Sequence, residues 1–253
     1  MKTKIKTILV VSILIIVLTG TFSEVYAEIP ATSDQEKTAL ILNPVEYLYG
    51  SRYCQPIIKS LQEIGYSVTY IPDENVDLDF IEHYLPADVV YINTHAGYWD
   101  TDGDGQPDSI VIATGEKWTE DTTQIYAFEY NHSMIVRCEV RNESFIAFTP
   151  ELIEYYYGPG NFSDSLIFMA TCDAAYDDSM AEPFLDAGAS AYMGWKRTTT
   201  SWTNRFVSIR AFKLLGKGLT VQQTCRLMRF GGIFNFFFLS RLTYYGDGVH
   251  IIL

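Results

Sequence analysis

Three short runs of this chain are almost wholly apolar: 37–42 (KTALIL), 87–93 (ADVVYIN) and 165–170 (SLIFMA). Runs of this length, with no polar residue at alternate positions, read as strands covered on both faces. Such strands belong to parallel sheets whose crossovers are helices. The segments between them fit. Residues 45–64 place Ile57, Ile58, Leu61 and Ile64 near helical spacing, with Gly65 where a helix ends. Further strands are expected at 67–71 and 189–195, and further helices at 78–85, 179–187, 201–215 and 219–229. The order predicts an α/β fold with a mostly parallel sheet flanked by helices.

The middle of the chain breaks this rhythm. A polar loop at 98–108 precedes four short segments, 109–114, 124–130, 134–140 and 145–148, which read as strands joined by turns. They predict a β-hairpin insertion over 109–149, followed by a helix at 150–157. The apolar run 233–239, broken by Asn235, is expected in the core. A turn at Gly246-Asp247-Gly248 precedes an apolar finish.

Residues 1–27 stand apart. Lys2, Lys4 and Lys6 open a stretch that is apolar from Ile8 to Leu18 except for Ser12. Val25-Tyr26-Ala27 sets small residues at −3 and −1, so the segment reads as a secretory signal cleaved after Ala27. The run is short for a span of about 20 residues; the alternative is an uncleaved anchor. Residues 28–36 read as a polar leader and 37–253 as one domain, secreted or displayed at the cell surface.

Lys and Arg total 18 against 31 Asp and Glu, a net charge of −13. Duplex nucleic acid needs clustered basic residues, so it is not an expected partner. No membrane contact is expected of the mature chain either. With hydrophobic residues at 48% and aromatics at 15%, a disordered polymer is excluded. Cys54, Cys138, Cys172 and Cys225 form no CxxC pair, which argues against structural zinc. Export permits one disulfide among Cys54, Cys138 and Cys225, in any pairing.

Ligands of open parallel sheets gather outside the carboxyl ends of the strands. Two reactive residues fall there. His95 follows 87–93 within Thr94-His95-Ala96-Gly97, and Cys172 follows 165–170 within Thr171-Cys172-Asp173. An imidazole beside a thiol makes an activated nucleophile.

This order resembles the caspase-like clan of cysteine peptidases. The stretch 166–195 is similar to the gingipain-type and CHAT-type branches, where the Cys strand leads to a helix, an AGA turn and a strand ending in Gly-Trp. Gly216-Lys217-Gly218-Leu219 and Tyr245-Gly246-Asp247 carry the likeness further. The resemblance implies a caspase-like three-layer fold and a secreted cysteine endopeptidase acting on a protein or peptide, with no organic cofactor. It implies Cys172 as nucleophile and His95 as general acid/base, with an oxyanion hole from the N–H groups of Gly97 and Cys172. Asp173, Trp195 and Lys196 would line the substrate pocket. Ala96 stands where these branches have Gly, so either Ala96 or Gly97 could supply its N–H; Thr171 replaces Ala before the Cys. Asp173, Asp177 and Asp178 would either select Arg or Lys at the cleavage site or cap the next helix.

A second motif carries separate chemistry. Asp100, Asp102, Asp104 and Asp108 occupy positions 1, 3, 5 and 9 of a loop with Gly105 at position 6. With the Gln106 carbonyl they converge hard oxygens suited to a structural Ca²⁺. The alternative is a solvated acidic turn. Position 12 is Val111, so the loop is not a full EF-hand. Two other readings of the chain stand beside the peptidase: an inactive caspase-fold binding module at the cell surface, and a thiol hydrolase of other amides or esters.

Overall fold

The computed structural model describes residues 36–100, 104, 108–229 and 239–253, and residues 36–253 form one compact unit. The expected signal segment 1–27, almost all of the expected leader, and the apolar run 233–238 lie outside the described residues. Leu239, at the end of that run, is exposed.

Ten strands and nine helices follow one another among the described residues. In chain order they are β1 (Thr38–Asn43), α1 (Glu46–Tyr49), α2 (Gln55–Gln62), β2 (Ser67–Pro72), α3 (Leu78–His83), β3 (Val89–Ile92), β4 (Ala96–Trp99), β5 (Ser109–Lys117), α4 (Thr122–Ile125), α5 (Ala127–Asn131), β6 (Ile135–Val140), β7 (Glu143–Phe148), α6 (Pro150–Tyr156), β8 (Leu166–Met169), α7 (Ala181–Asp186), β9 (Ala191–Trp195), α8 (Ser201–Leu215), α9 (Val221–Met228) and β10 (Leu242–Gly246).

The main sheet has the order β10-β9-β8-β3-β1-β2. All its pairs are parallel except β10 with β9. Alternate residues of each strand enter opposite cores. Leu40, Leu42, Val90, Ile92, Ile167 and Met169 pack with α3, α6 and α7. Ile41, Val89, Tyr91, Phe168, Met193 and Trp195 pack with α2, α8 and α9. The architecture is therefore α/β in three layers, helices over both faces of a mostly parallel sheet.

Between β3 and β8 the chain builds a second, antiparallel sheet of order β4-β5-β7-β6. One face, through Ile110, Ile112, Ile146 and Phe148, joins the core shared with α3 and α6. The other carries only Val111, Val136 and Ala147, with Trp99 and Cys138 against them.

Two expectations need correction. Residues 124–130 are not a strand: α4 and α5 run through them. Thr122 is buried and Tyr126 and Glu129 half-buried, an i, i+4, i+7 spacing that turns one helical face inward. The expected helix over 45–64 is broken. Gly50 sits at φ 77, a single turn spans Ser51–Tyr53, and α2 restarts with Pro56 in its first turn. Strand β4 was not anticipated, and it makes 100–108 the loop of a hairpin. Asp108 N–H closes that loop on Trp99 O at 2.9 Å.

Candidate active site

The main sheet reverses its order at β1, whose neighbours are β2 and β3. The crevice outside such strand ends is where ligands of doubly wound sheets gather. Here the ends of β1, β3, β8 and β9 each contribute residues to one small cavity of about 50 Å³. Tyr49 and Tyr53 come from beyond β1, and Thr94 and His95 from beyond β3. Thr171 and Cys172 follow β8, and Thr199 follows β9. Because β3 and β8 are hydrogen-bonded neighbours, with Ala170 N–H on Ile92 O at 2.7 Å, His95 and Cys172 are brought to the same cavity. Its volume holds a water or two.

A buried polar ladder underlies the cavity. Tyr70 hydroxyl donates to Glu46, Asn43 Nδ2 to Tyr70 Oη at 3.0 Å, and Asn93 Nδ2 to Asn43 Oδ1 at 2.7 Å. Asn204 of α8 donates to Ala170 O at 2.7 Å and to Asn93 Oδ1 at 3.4 Å, and accepts from Trp195 Nε1 at 2.9 Å. Side chains from β2, β1, β3, α8 and β9 are thus tied together beside His95 and Cys172. None of these asparagines was singled out from sequence. The signal was present, since Asn43 and Asn93 end apolar runs where a buried amide demands partners.

His95 stands where the chain passes from the main sheet to the hairpin sheet. Its backbone O accepts from Ala113 N–H at 2.9 Å, and its ring lies 6.3 Å from that of Tyr49. Nε2 is buried and has no hydrogen-bond partner among the described residues. Burial, then the nearby Arg141 cation, lower its pKa below the ordinary 6.5, so the resting imidazole is neutral at pH 7.

Cys172 opens a loop that lies flat on β9. Ala175 N–H bonds Trp195 O at 3.0 Å, and a Cβ on Gly194 would stand 3.0 Å from Ala175 Cβ. Asp173 takes φ 57 to make the turn. Thr199 N–H donates to Cys172 Sγ at 3.3 Å, and the thiol in turn reaches Thr199 O at 3.4 Å. Burial raises the thiol pKa, the Thr199 backbone partly offsets this, and the Asp173 carboxylate adds to the rise. The resting pair is therefore thiol and imidazole rather than thiolate and imidazolium. Cys54, Cys138 and Cys225 are also free thiols, pushed by burial to about 12, 11 and 12.

The remaining expected site residues fall as follows. Gly97 lies in β4 opposite Val111 and lines a second groove, about 300 Å³, over the hairpin sheet. His95, Trp99, Val136 and Cys138 line the same groove, so His95 borders both spaces. Asp173 is buried, accepts from Thr198 Oγ1 at 3.4 Å, and hydrogen-bonds the hydroxyl of Tyr98. Trp195 is fully buried. It supports the cavity through Asn204 instead of forming a pocket wall. Lys196 is half-buried at the end of β9, its N–H on Arg241 O at 2.9 Å. Asp100, Asp104 and Asp108 belong to the loop between β4 and β5; Asp102 and Gln106 lie outside the described residues.

No protein-family model matches the chain, and no curated protein matches it.

Proposed function

We propose that this is a caspase-like cysteine peptidase acting outside the cell on a protein or peptide, as the sequence resemblance implies. The observation that supports it best is the meeting of Cys172 and His95 in one cavity at adjacent parallel strand ends. The neutral pair sets the order of events. Cys172 Sγ attacks the peptide carbonyl as its proton passes to the His95 ring. N–H groups of Cys172 and Gly97 hold the oxyanion, an interaction worth about 3 kcal/mol per donor in well-studied enzymes. His95, now imidazolium, protonates the leaving amine. A water that gives its proton back to His95 then hydrolyses the thioester. Asp173, next to Cys172 in the chain, would bear on the residue at the cleavage site, and the resemblance adds Lys196 to that pocket.

The same reading assigns a structural Ca²⁺ to the hairpin loop. Carboxylates of Asp100, Asp102, Asp104 and Asp108 and the Gln106 carbonyl form a hard, all-oxygen donor set. The ion would stiffen the strand that carries Gly97 and takes no part in bond making.

A second reading is favoured by one observation. The cavity of about 50 Å³ does not admit a peptide in this form, which suits an inactive binding module of the same fold. One experiment separates the two: the purified protein and its Cys172→Ala variant against a pooled fluorogenic peptide library, with calcium and with chelator. Cleavage by the wild type alone supports the peptidase. No cleavage, with Cys172 also inert to an acyloxymethyl-ketone probe, supports the binding module.

A further inference from the structure

The two helical layers carry opposite charge. Helices α2, α8 and α9 bear Lys59, Arg205, Arg210, Lys213 and Arg226 and no Asp or Glu. Helices α3, α6 and α7 bear Asp79, Glu82, Glu151, Glu154, Glu182 and Asp186 and no Lys or Arg. The segregation runs deep in the chain: no acidic residue occurs between Asp186 and Asp247, a stretch with nine Lys or Arg in a protein of net charge −13. The layers lie on opposite faces of the main sheet.

Each layer also exposes aromatic surface. On the basic side an open groove of about 390 Å³ follows α8, lined among others by Trp202, Arg205, Phe206, Arg210, Lys213 and Lys217. Trp202 is 72% exposed and stacks on Phe206 at 5.9 Å and 4°. On the acidic side a chain of ring contacts runs Phe128–Tyr155–Tyr156–His83–Tyr84, at centroid distances of 5.1, 5.1, 5.6 and 6.1 Å. Tyr84 and Tyr155 are 60% and 58% exposed there. Among the described residues, no ion pair within 4.0 Å involves the basic groups of the α8 groove or Glu151 and Glu154.

We propose that the α8 face docks a second copy of this chain on its acidic, aromatic face. Cations on one side meet carboxylates and ring faces on the other, a pairing that adds cation–π attraction to charge complementarity. A soluble polyanion or an anionic bilayer would account for the basic face alone. Because the two faces lie on opposite sides of one molecule, the contact is head-to-tail and does not close by two-fold symmetry, so copies add in a row. The contact rests on no assumption about catalysis.

The test is sedimentation velocity of the purified protein from about 10 to 500 µM, at about 50 and 500 mM salt, which spans weak to strong screening. Average mass should rise with concentration at low salt, and the association should weaken at least tenfold at high salt. The charge reversals Lys213→Glu/Lys217→Glu and Glu151→Lys/Glu154→Lys should each sediment as monomers while keeping the wild-type melting temperature. An equimolar mixture of the two reversals should associate again, because each then offers the face the other lacks. Three results overturn the proposal: a wild type monomeric at every concentration, reversals that associate as the wild type does, or a mixture that stays monomeric. Capture of phosphatidylglycerol vesicles or single-stranded DNA by a monomeric wild type would overturn it too, and would assign the α8 face to that partner.

Discussion

The two sheets answer the same problem differently. The main sheet is covered on both faces, so every residue of β3, β8 and β9 is buried and the strands have one register. The hairpin sheet joins the core by one face and leaves a groove on the other. His95 stands at the handover, in the cavity of the first sheet and the groove of the second. A rigid parallel sheet can hold a reactive pair at adjoining strand ends, while a half-covered insertion is free to shape what approaches it. The residues follow that division: His95 and Cys172 stand at strand ends of the main sheet, and Gly97 and Tyr98 belong to the insertion.

The largest expected effect tests the division directly. If the main sheet makes the site, Cys172→Ala and His95→Ala each lower peptide cleavage by at least about 10³-fold, since a nucleophile and its base act as a unit. Neither should greatly shift the melting temperature. Retained cleavage in His95→Ala would break the comparison, because the base would then have to come from elsewhere.

The next effect is on stability. Asn204 makes three buried hydrogen bonds that tie α8 to the strand ends. Asn204→Leu strands the Trp195 indole N–H and the Ala170 carbonyl, which should cost about 2–4 kcal/mol by urea unfolding. An equally buried position in the hairpin sheet, Thr114, makes two side-chain bonds within that sheet: its hydroxyl donates to Ile146 O at 2.9 Å and accepts from Glu116 N–H at 3.1 Å. Thr114→Val should cost about 1 kcal/mol. Similar losses from both would remove the distinction between a tied sheet and a looser one.

Legibility in the sequence divides the same way. The runs 37–42, 87–93 and 165–170 show β1, β3 and β8 because burial on both faces leaves no polar residue to confuse the pattern. That His95 and Cys172 fall at neighbouring strand ends was legible from their positions after two of these runs. The hairpin sheet was harder. A half-covered insertion mixes exposed and buried residues, so the helical spacing of Thr122, Tyr126 and Glu129 passed for a strand. β4, only four residues long, hid between the apolar run 87–93 and what read as a polar loop. Trp195 was expected on a pocket wall, yet its indole is fully buried beneath the site. Sequence spacing does not tell which face of β9 meets α8. The asparagine ladder depends on contacts between residues as distant as Asn93 and Asn204, which no local pattern encodes.

Calcium would separate the two sheets at a smaller scale. If the loop between β4 and β5 holds an ion with millimolar affinity, about 5 mM calcium stabilises the fold by roughly 1 kcal/mol. In a domain of this size that raises the melting temperature by about 2–4 °C. Asp100→Asn/Asp104→Asn should abolish the calcium-dependent part, leaving the alkylation rate of Cys172 within about twofold of the wild type. Loss of Cys172 reactivity on chelation would show that the insertion organises the whole site and that the main sheet does not suffice.

The smallest effect is one of slope with pH, and it reads the handover residue itself. Burial and Arg141 lower the pKa of His95 below 6.5 in the folded chain. Below pH 6.5 the unfolded chain therefore binds the proton first, and stability contributed by the neutral ring is lost as pH falls through the folded pKa. His250 is lowered as well, chiefly by burial, and acts in the same direction. Glu82 opposes both. Burial, then Glu129, push its carboxyl up to about 7, so the folded chain takes up that proton first and gains stability as pH falls from about 7 toward 4.5. The wild-type profile sums these opposed slopes, so the informative quantity is a difference between variants. His95→Gln should flatten the acid limb below pH 6.5 relative to wild type, and His250→Gln should flatten it independently. Glu82→Gln should raise stability at pH 8, where the wild type carries a buried charge, and should steepen the loss on acidification. If His95→Gln leaves the slope unchanged, the ring is protonated or solvated in the folded state. The neutral thiol–imidazole pair at the meeting of the two sheets would then have to be given up.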